Sequence, residues 1–145
     1  MTTNPDGGTG RSRVTMGRVW WVGLLAAAGA AGANVLVYAL ARALGVSLVM
    51  PPIPGTAPAL LPVGMVILMS VVGAVAGTVA FALLGRFVPR GVLLFQIVGI
   101  VFLLLSFSGP LTLEATDGAT KATLMLMHVV AGGTIIGLLS GLGRR

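Results

Sequence analysis

The chain has 145 residues, of which 57% are hydrophobic and 8% charged, and its mean hydropathy is +1.06. Soluble domains carry about 25% charged residues, so water is excluded as the main solvent of this chain. The formal charge of +6 lies on residues that flank apolar runs and form no face, which points to lipid headgroups and away from nucleic acid.

Residues 1–18 are a polar Gly/Thr/Arg-rich arm with Arg11, Arg13 and Arg18, expected to be disordered and cytoplasmic. The first apolar run opens with Trp20 and Trp21, suited to an interfacial aromatic belt, and predicts a helix over about 19–43. A cleaved signal peptide is the rival reading, because AGA around Gly32 imitates a cleavage site. A length of ~20 residues, enough to cross a bilayer, favours an uncleaved helix. Gly45 to Pro62 reads as a loop, since Pro51, Pro52, Pro54, Pro58 and Pro62 oppose a helix, and its apolar interior suits the membrane interface.

A second helix is expected over 61–85 and a third over 91–108, joined by the tight connection Arg86–Arg90. Gly109–Pro110 is read as the stop of the third. Leu111 to Lys121 forms a loop holding Glu114 and Asp117, a fourth helix covers 122–142, and residues 143–145 are a cytoplasmic tail. The expected fold is therefore all-α, a polytopic membrane protein with four transmembrane helices in an antiparallel bundle over 19–142. With both termini inside, Arg11, Arg13, Arg18, Arg86, Arg90, Arg144 and Arg145 are cytoplasmic and only Arg42 and Lys121 lie outside, as the positive-inside rule requires.

Small residues recur every fourth position, as in Gly29 with Ala33, Gly73 with Gly77, and the ladder Gly133, Gly137 and Gly141. Such stripes let helix backbones approach. They serve either packing inside one chain, the favoured reading, or a dimerisation face. The ladder is expected to touch another helix.

Polar groups are costly in hydrocarbon and mark candidate sites. Asn34, Tyr38 and Arg42 are four apart and share one face of the first helix, while Lys121 and His128, seven apart, share a face of the fourth. Ser106 and Ser108 end the third helix on the same side, and Met65 and Met69 lie on the outer half of the Gly73–Gly77 face. Asn34, Tyr38, Arg42, Ser106, Ser108 and His128 thus form a candidate outer polar patch, with Glu114 and Asp117 as nearby carboxylates. Four of them also have a plainer explanation: a helix-to-helix hydrogen bond for Asn34, a belt position for Tyr38, snorkelling to the headgroups for Arg42, and for His128 a neutral imidazole satisfied by a single donor or carbonyl.

No catalytic set emerges. Cysteine is absent, which removes disulfides, thiolate metal sites and cysteine nucleophiles. One histidine cannot give paired haem ligands, although a methionine partner stays open. No carboxylate lies within an expected span, and no phosphate loop or HExxH is present. No cofactor and no metal are expected.

Three segments, NVLVYALARALGVS (Asn34–Ser47), LSFSGPL (Leu105–Leu111) and ATKATLMLMHVVAG (Ala119–Gly132), resemble a family of small four-helix membrane proteins, mostly actinobacterial, catalogued as domain of unknown function 6069. The resemblance implies a four-helix fold in a bacterial plasma membrane and brings no activity with it. Two functions stand in order: a structural or accessory membrane component acting through helix contacts with itself or a larger partner, and a binder or carrier of a small molecule or lipid using the polar patch. A membrane enzyme ranks third.

Overall fold

In hydrocarbon a backbone can satisfy its hydrogen bonds only as helices or a closed barrel, and this chain uses helices. The computed structural model describes residues 16–51 and 55–143. The expected disorder of residues 1–15, the prolines at 52 and 54 and the tail at 144–145 lie outside the described residues. The elements are α1 (Met16–Ala43), β1 (Val49–Met50), β2 (Ala59–Leu60), α2 (Val63–Phe87), α3 (Gly91–Ser106), α4 (Ser108–Thr112) and α5 (Gly118–Leu142). Four segments are long and apolar enough to cross a membrane: Gly17–Ala43, Val63–Phe87, Gly91–Thr112 and Gly118–Leu142. At 1.5 Å per residue they measure about 33–41 Å against a hydrocarbon core of about 30 Å.

Successive spans run antiparallel, and the first and last are neighbours. The Arg18 side chain at the start of α1 donates to the Leu142 carbonyl at the end of α5, 2.9 Å away, where a cation also meets the negative end of the helix dipole. Along α1, Val19, Val22, Ala26, Ala30 and Asn34 make one buried stripe at three- and four-residue spacing. Val66, Ser70, Ala74, Thr78 and Ala82 make the matching stripe on α2. Nearly all of these are small, so the two backbones close on one another; a Cβ placed on Gly23 would lie 2.6 Å from the Thr78 side chain. Helix α3 is peripheral. Only Gly91 and Phe95 of it are buried, and Phe95 packs edge-on against Phe81 at 5.1 Å between ring centroids.

Several boundaries differ from expectation. Helix α1 begins at Met16, because Arg18 is held to α5. The third run does not stop at Gly109–Pro110: after a turn at Phe107 the chain continues as α4, with Pro110 buried in its first turn. A proline there forfeits no helical hydrogen bond, since first-turn amides have no intrahelical partner. The proline-rich loop contains a small antiparallel hairpin, Val49 pairing with Leu60 and Met50 with Ala59.

The glycine stripes part company. A Cβ on Gly77 would lie 2.7 Å from the Ile135 side chain, and one on Gly73 3.8 Å from the same residue. On Gly133, Gly137 and Gly141 a Cβ would meet nothing within 4 Å. The contact expected for this ladder is not made among the described residues, because α5 turns Leu124, Met127, Ile135 and Leu139 inward and leaves the ladder on its outer side.

Gly91 is the least replaceable glycine. Arg90 before it takes a left-handed conformation (φ 62°), and a Cβ on Gly91 would collide with the Leu84 carbonyl oxygen, a backbone atom that no rotamer change can move. Gly91→Ala should therefore lower the thermal unfolding temperature in detergent, at a cost of about 1–3 kcal/mol or more. Gly137→Leu should leave the unfolding of the monomer unmoved. Equal behaviour of the two variants would contradict this assignment.

Candidate functional site

Polar residues gather at two levels of the bundle. At the end where α1 stops, Gly45 (φ 82°) accepts the left-handed position that closes the helix. Its N–H donates to the Arg42 carbonyl at 3.1 Å, and the Val46 N–H to the Ala41 carbonyl at 3.0 Å. The Arg42 guanidinium then donates to the Val46 and Ser47 carbonyls, at 3.4 and 3.0 Å. The chain is thereby aimed at the start of α5, where Asp117 is the N-cap. Its carboxylate accepts from the Ser47 hydroxyl at 2.5 Å, the Thr120 N–H at 2.8 Å and the Thr120 hydroxyl at 2.8 Å. The Thr120 oxygen in turn accepts the buried Leu48 N–H at 3.1 Å. Tyr38 donates to the Leu61 carbonyl at 2.9 Å, which ties the hairpin down onto α1. This end is a fastening.

Deeper in the bundle, α2 and α3 stand on either side of a cavity of about 660 Å³ whose floor is α5 and part of α1. Its lining is apolar apart from Asn34, Ser70, Ser106 and His128, with Met50, Met65, Met69 and Met127 supplying deformable walls. Met65, Met69, Val98 and Phe102 line it and are also exposed, so it opens sideways between α2 and α3 onto the face that lipid would cover. Asn34 lies about 14 Å from the Ala43 end of its helix and His128 about 15 Å from the Gly118 end of its own, well inside both apolar spans.

Asn34 is only 4% exposed. Its Nδ2 donates to Ser70 Oγ at 3.0 Å, but its Oδ1 is buried without a hydrogen-bond partner. His128 is half-buried, with Nδ1 2.7 Å from the Leu124 carbonyl. A carbonyl cannot donate, so Nδ1 carries the proton and, in the neutral ring, Nε2 is an acceptor.

The expected patch thus divides. Asn34, Ser106 and His128 line the cavity, whereas Tyr38 and Arg42 hold the hairpin, and Ser108 is exposed and donates to the Leu105 carbonyl at 2.7 Å. Lys121 donates to the Leu111 carbonyl at 3.4 Å. Glu114 is exposed, and Asp117 serves Ser47 and Thr120. Sequence reasoning passed over Ser47, Thr120 and Ser70. The order Asp117–Gly118–Ala119–Thr120 before an apolar run is an N-cap signal that could have found Thr120. Nothing in the sequence separates Ser70 from any small residue on a packed stripe.

Four apolar spans around a side-opening, largely apolar cavity define an all-helical, multi-pass membrane protein. The family model described as a family of unknown function, DUF6069, matches residues 14–145, and the chain belongs to that family. No curated protein and no solved structure matches it.

The fastening has a pH signature. Three donors hold the Asp117 carboxyl at about 2, below its ordinary 3.8, the Ser47 hydroxyl contributing most, then the Thr120 N–H and the Thr120 hydroxyl. A lowered value stabilises the fold fully above the unfolded pKa of 3.8, and the effect is lost as pH falls through about 2. The unfolding temperature in detergent should accordingly fall as pH drops from about 4 to about 2, and fall less in Asp117→Ala, which starts lower. Parallel curves for the two proteins would remove Asp117 from this role.

Proposed function

We propose that this protein binds an apolar small molecule or lipid chain in the cavity between α2 and α3, as a membrane-embedded binder or carrier. The observation that carries this reading is a side-opening, mostly apolar cavity of about 660 Å³ whose lining includes the polar residues Asn34, Ser70, Ser106 and His128. Pockets of roughly 300–1,000 Å³ are those that hold ligands. Polar groups inside membrane spans, costly in hydrocarbon, mark functional sites.

A second reading, an accessory role through helix contacts with a copy of itself or a larger membrane protein, is favoured by the outward ladder Gly133, Gly137 and Gly141. Gly137→Leu distinguishes it, since loss of an oligomer without loss of monomer stability would support a contact there. In either role we place the protein in a bacterial plasma membrane with both termini cytoplasmic. In the bundle Arg18, Arg86 and Arg90 share one end and Arg42 and Lys121 the other, which supports that orientation. A reporter fused after residue 145 should be active only in the cytoplasm, and activity on the external side would reverse the assignment.

For the cavity, protein purified in mild detergent should carry a non-covalent adduct in native mass spectrometry. Ala76 lies exposed on the lining of the mouth. Ala76→Phe should lose the adduct while keeping the wild-type unfolding temperature. An adduct held equally by both proteins, or by neither, would overturn the reading.

A further inference from the structure

The free valences of the cavity all have one sign. Ser70 donates its hydroxyl proton to the Val66 carbonyl at 2.8 Å, so its oxygen can only accept from Asn34, and this fixes the amide with Nδ2 towards Ser70. Asn34 Oδ1 is then an acceptor without a partner, but the groups around it seal it from the cavity. Backbone N–H groups along the surrounding helices are committed to their own ladders. The other polar side chain of the lining with a proton to give, Ser106, spends it on the Leu103 carbonyl at 2.6 Å. His128 spends its Nδ1 proton on Leu124 and keeps Nε2 as a second acceptor in the neutral ring. Among the described residues, no Asp, Glu, Lys or Arg lines the cavity.

We infer that the guest is a neutral, largely apolar molecule bearing a hydroxyl donor, an alcohol or a phenol, whose proton is shared with His128 Nε2. This inference rests on the cavity-binding reading and names its ligand class. A guest with only carbonyl or ether oxygens would set acceptor against acceptor, and an ionic guest would meet no countercharge in a low-dielectric site. The depth of His128, about 15 Å from the Gly118 end of its helix, places the hydroxyl among lipid tails and not among headgroups. The methionines and the side opening leave room for the apolar remainder to lie between α2 and α3.

The test uses a matched pair of probes, 4-octylphenol and 4-octylanisole, which differ in whether the aryl oxygen carries a proton. Affinities are read from thermal shifts of the full chain in dodecyl maltoside, for wild type, Asn34→Leu and His128→Leu. Micelle partitioning of each probe is common to all three proteins and cancels in the comparison between them. The phenol should bind wild type roughly 3- to 10-fold more tightly than the ether, the range expected for one net hydrogen bond. That preference should collapse towards unity in His128→Leu and persist in Asn34→Leu, with His128→Phe replacing the first variant where it does not fold. If phenol and ether bind wild type equally, or the preference survives the loss of the imidazole, the donor inference is overturned while cavity binding stands. If neither probe shifts wild type, cavity binding itself fails.

Discussion

The close approach of α1 and α2 is the constraint from which the rest of the bundle follows. Ala26, Ala30 and Asn34 face Ser70, Ala74 and Thr78 with so little side chain between them that the helices nearly touch. The apolar bulk must then lie elsewhere, and Phe81, Phe95, Ile135 and Leu139 supply it at the Arg86–Arg90 end. Helix α3 is tethered to α2 by a three-residue turn and anchored by Gly91 and Phe95. Farther along it reaches the core only through α5, where Gly99 receives Ile136 and Leu103 lies over Gly132. A helix pinned at its base and leaning on one neighbour leaves space beside the other. That space is the cavity.

The two polar levels show different chemistry in one chain. At the fastening each of these groups has partners: Asp117 takes three donors, Thr120 both gives and receives, and Arg42 and Tyr38 each meet backbone carbonyls. Such satisfaction is what an apolar solvent demands. Asn34 breaks the pattern. A second unpartnered buried atom among the described residues, Ser140 Oγ, is a weaker anomaly, since a serine hydroxyl in a helix can turn its proton onto the carbonyl four residues back. An amide oxygen has no such recourse, because it needs a donor and the helices around it have none to spare. The Asn34–Ser70 bond alone is a modest reward, with interhelical bonds of this kind averaging about 0.6 kcal/mol.

Much of the fold was legible because the bilayer sets a length, and four apolar runs of that length cannot be much else. What was not legible has physical causes. In water a helix declares its buried side by where the polar residues are absent, but here every side of α5 is apolar. Periodicity therefore identified the Gly133, Gly137 and Gly141 stripe without saying which way it faced. Pro110 was read as a stop because proline breaks helix interiors, yet it begins a turn of helix at no cost. Asn34 and His128 were recognisable as expensive, and the structure brings both to one cavity. Tyr38 and Arg42 looked the same in sequence, because a residue four positions on shares a face whether it serves a site or the loop above it.

The ladder and the cavity occupy different sides of α5, and this bears on how the two functional readings relate. Gly132 packs under Leu103 at the cavity while Gly133, one residue and about 100° further round the helix, faces outward. A partner helix seated on Gly133, Gly137 and Gly141 would leave the opening between α2 and α3 uncovered. Contact with a partner and occupation by a guest are therefore compatible in one molecule. Coupling between them would have to pass through the side of α5 that carries Met127, Ile135 and Leu139, which is packed against α1 and α2 and has little freedom to shift. The geometry thus favours two independent uses of one helix over a guest that switches assembly.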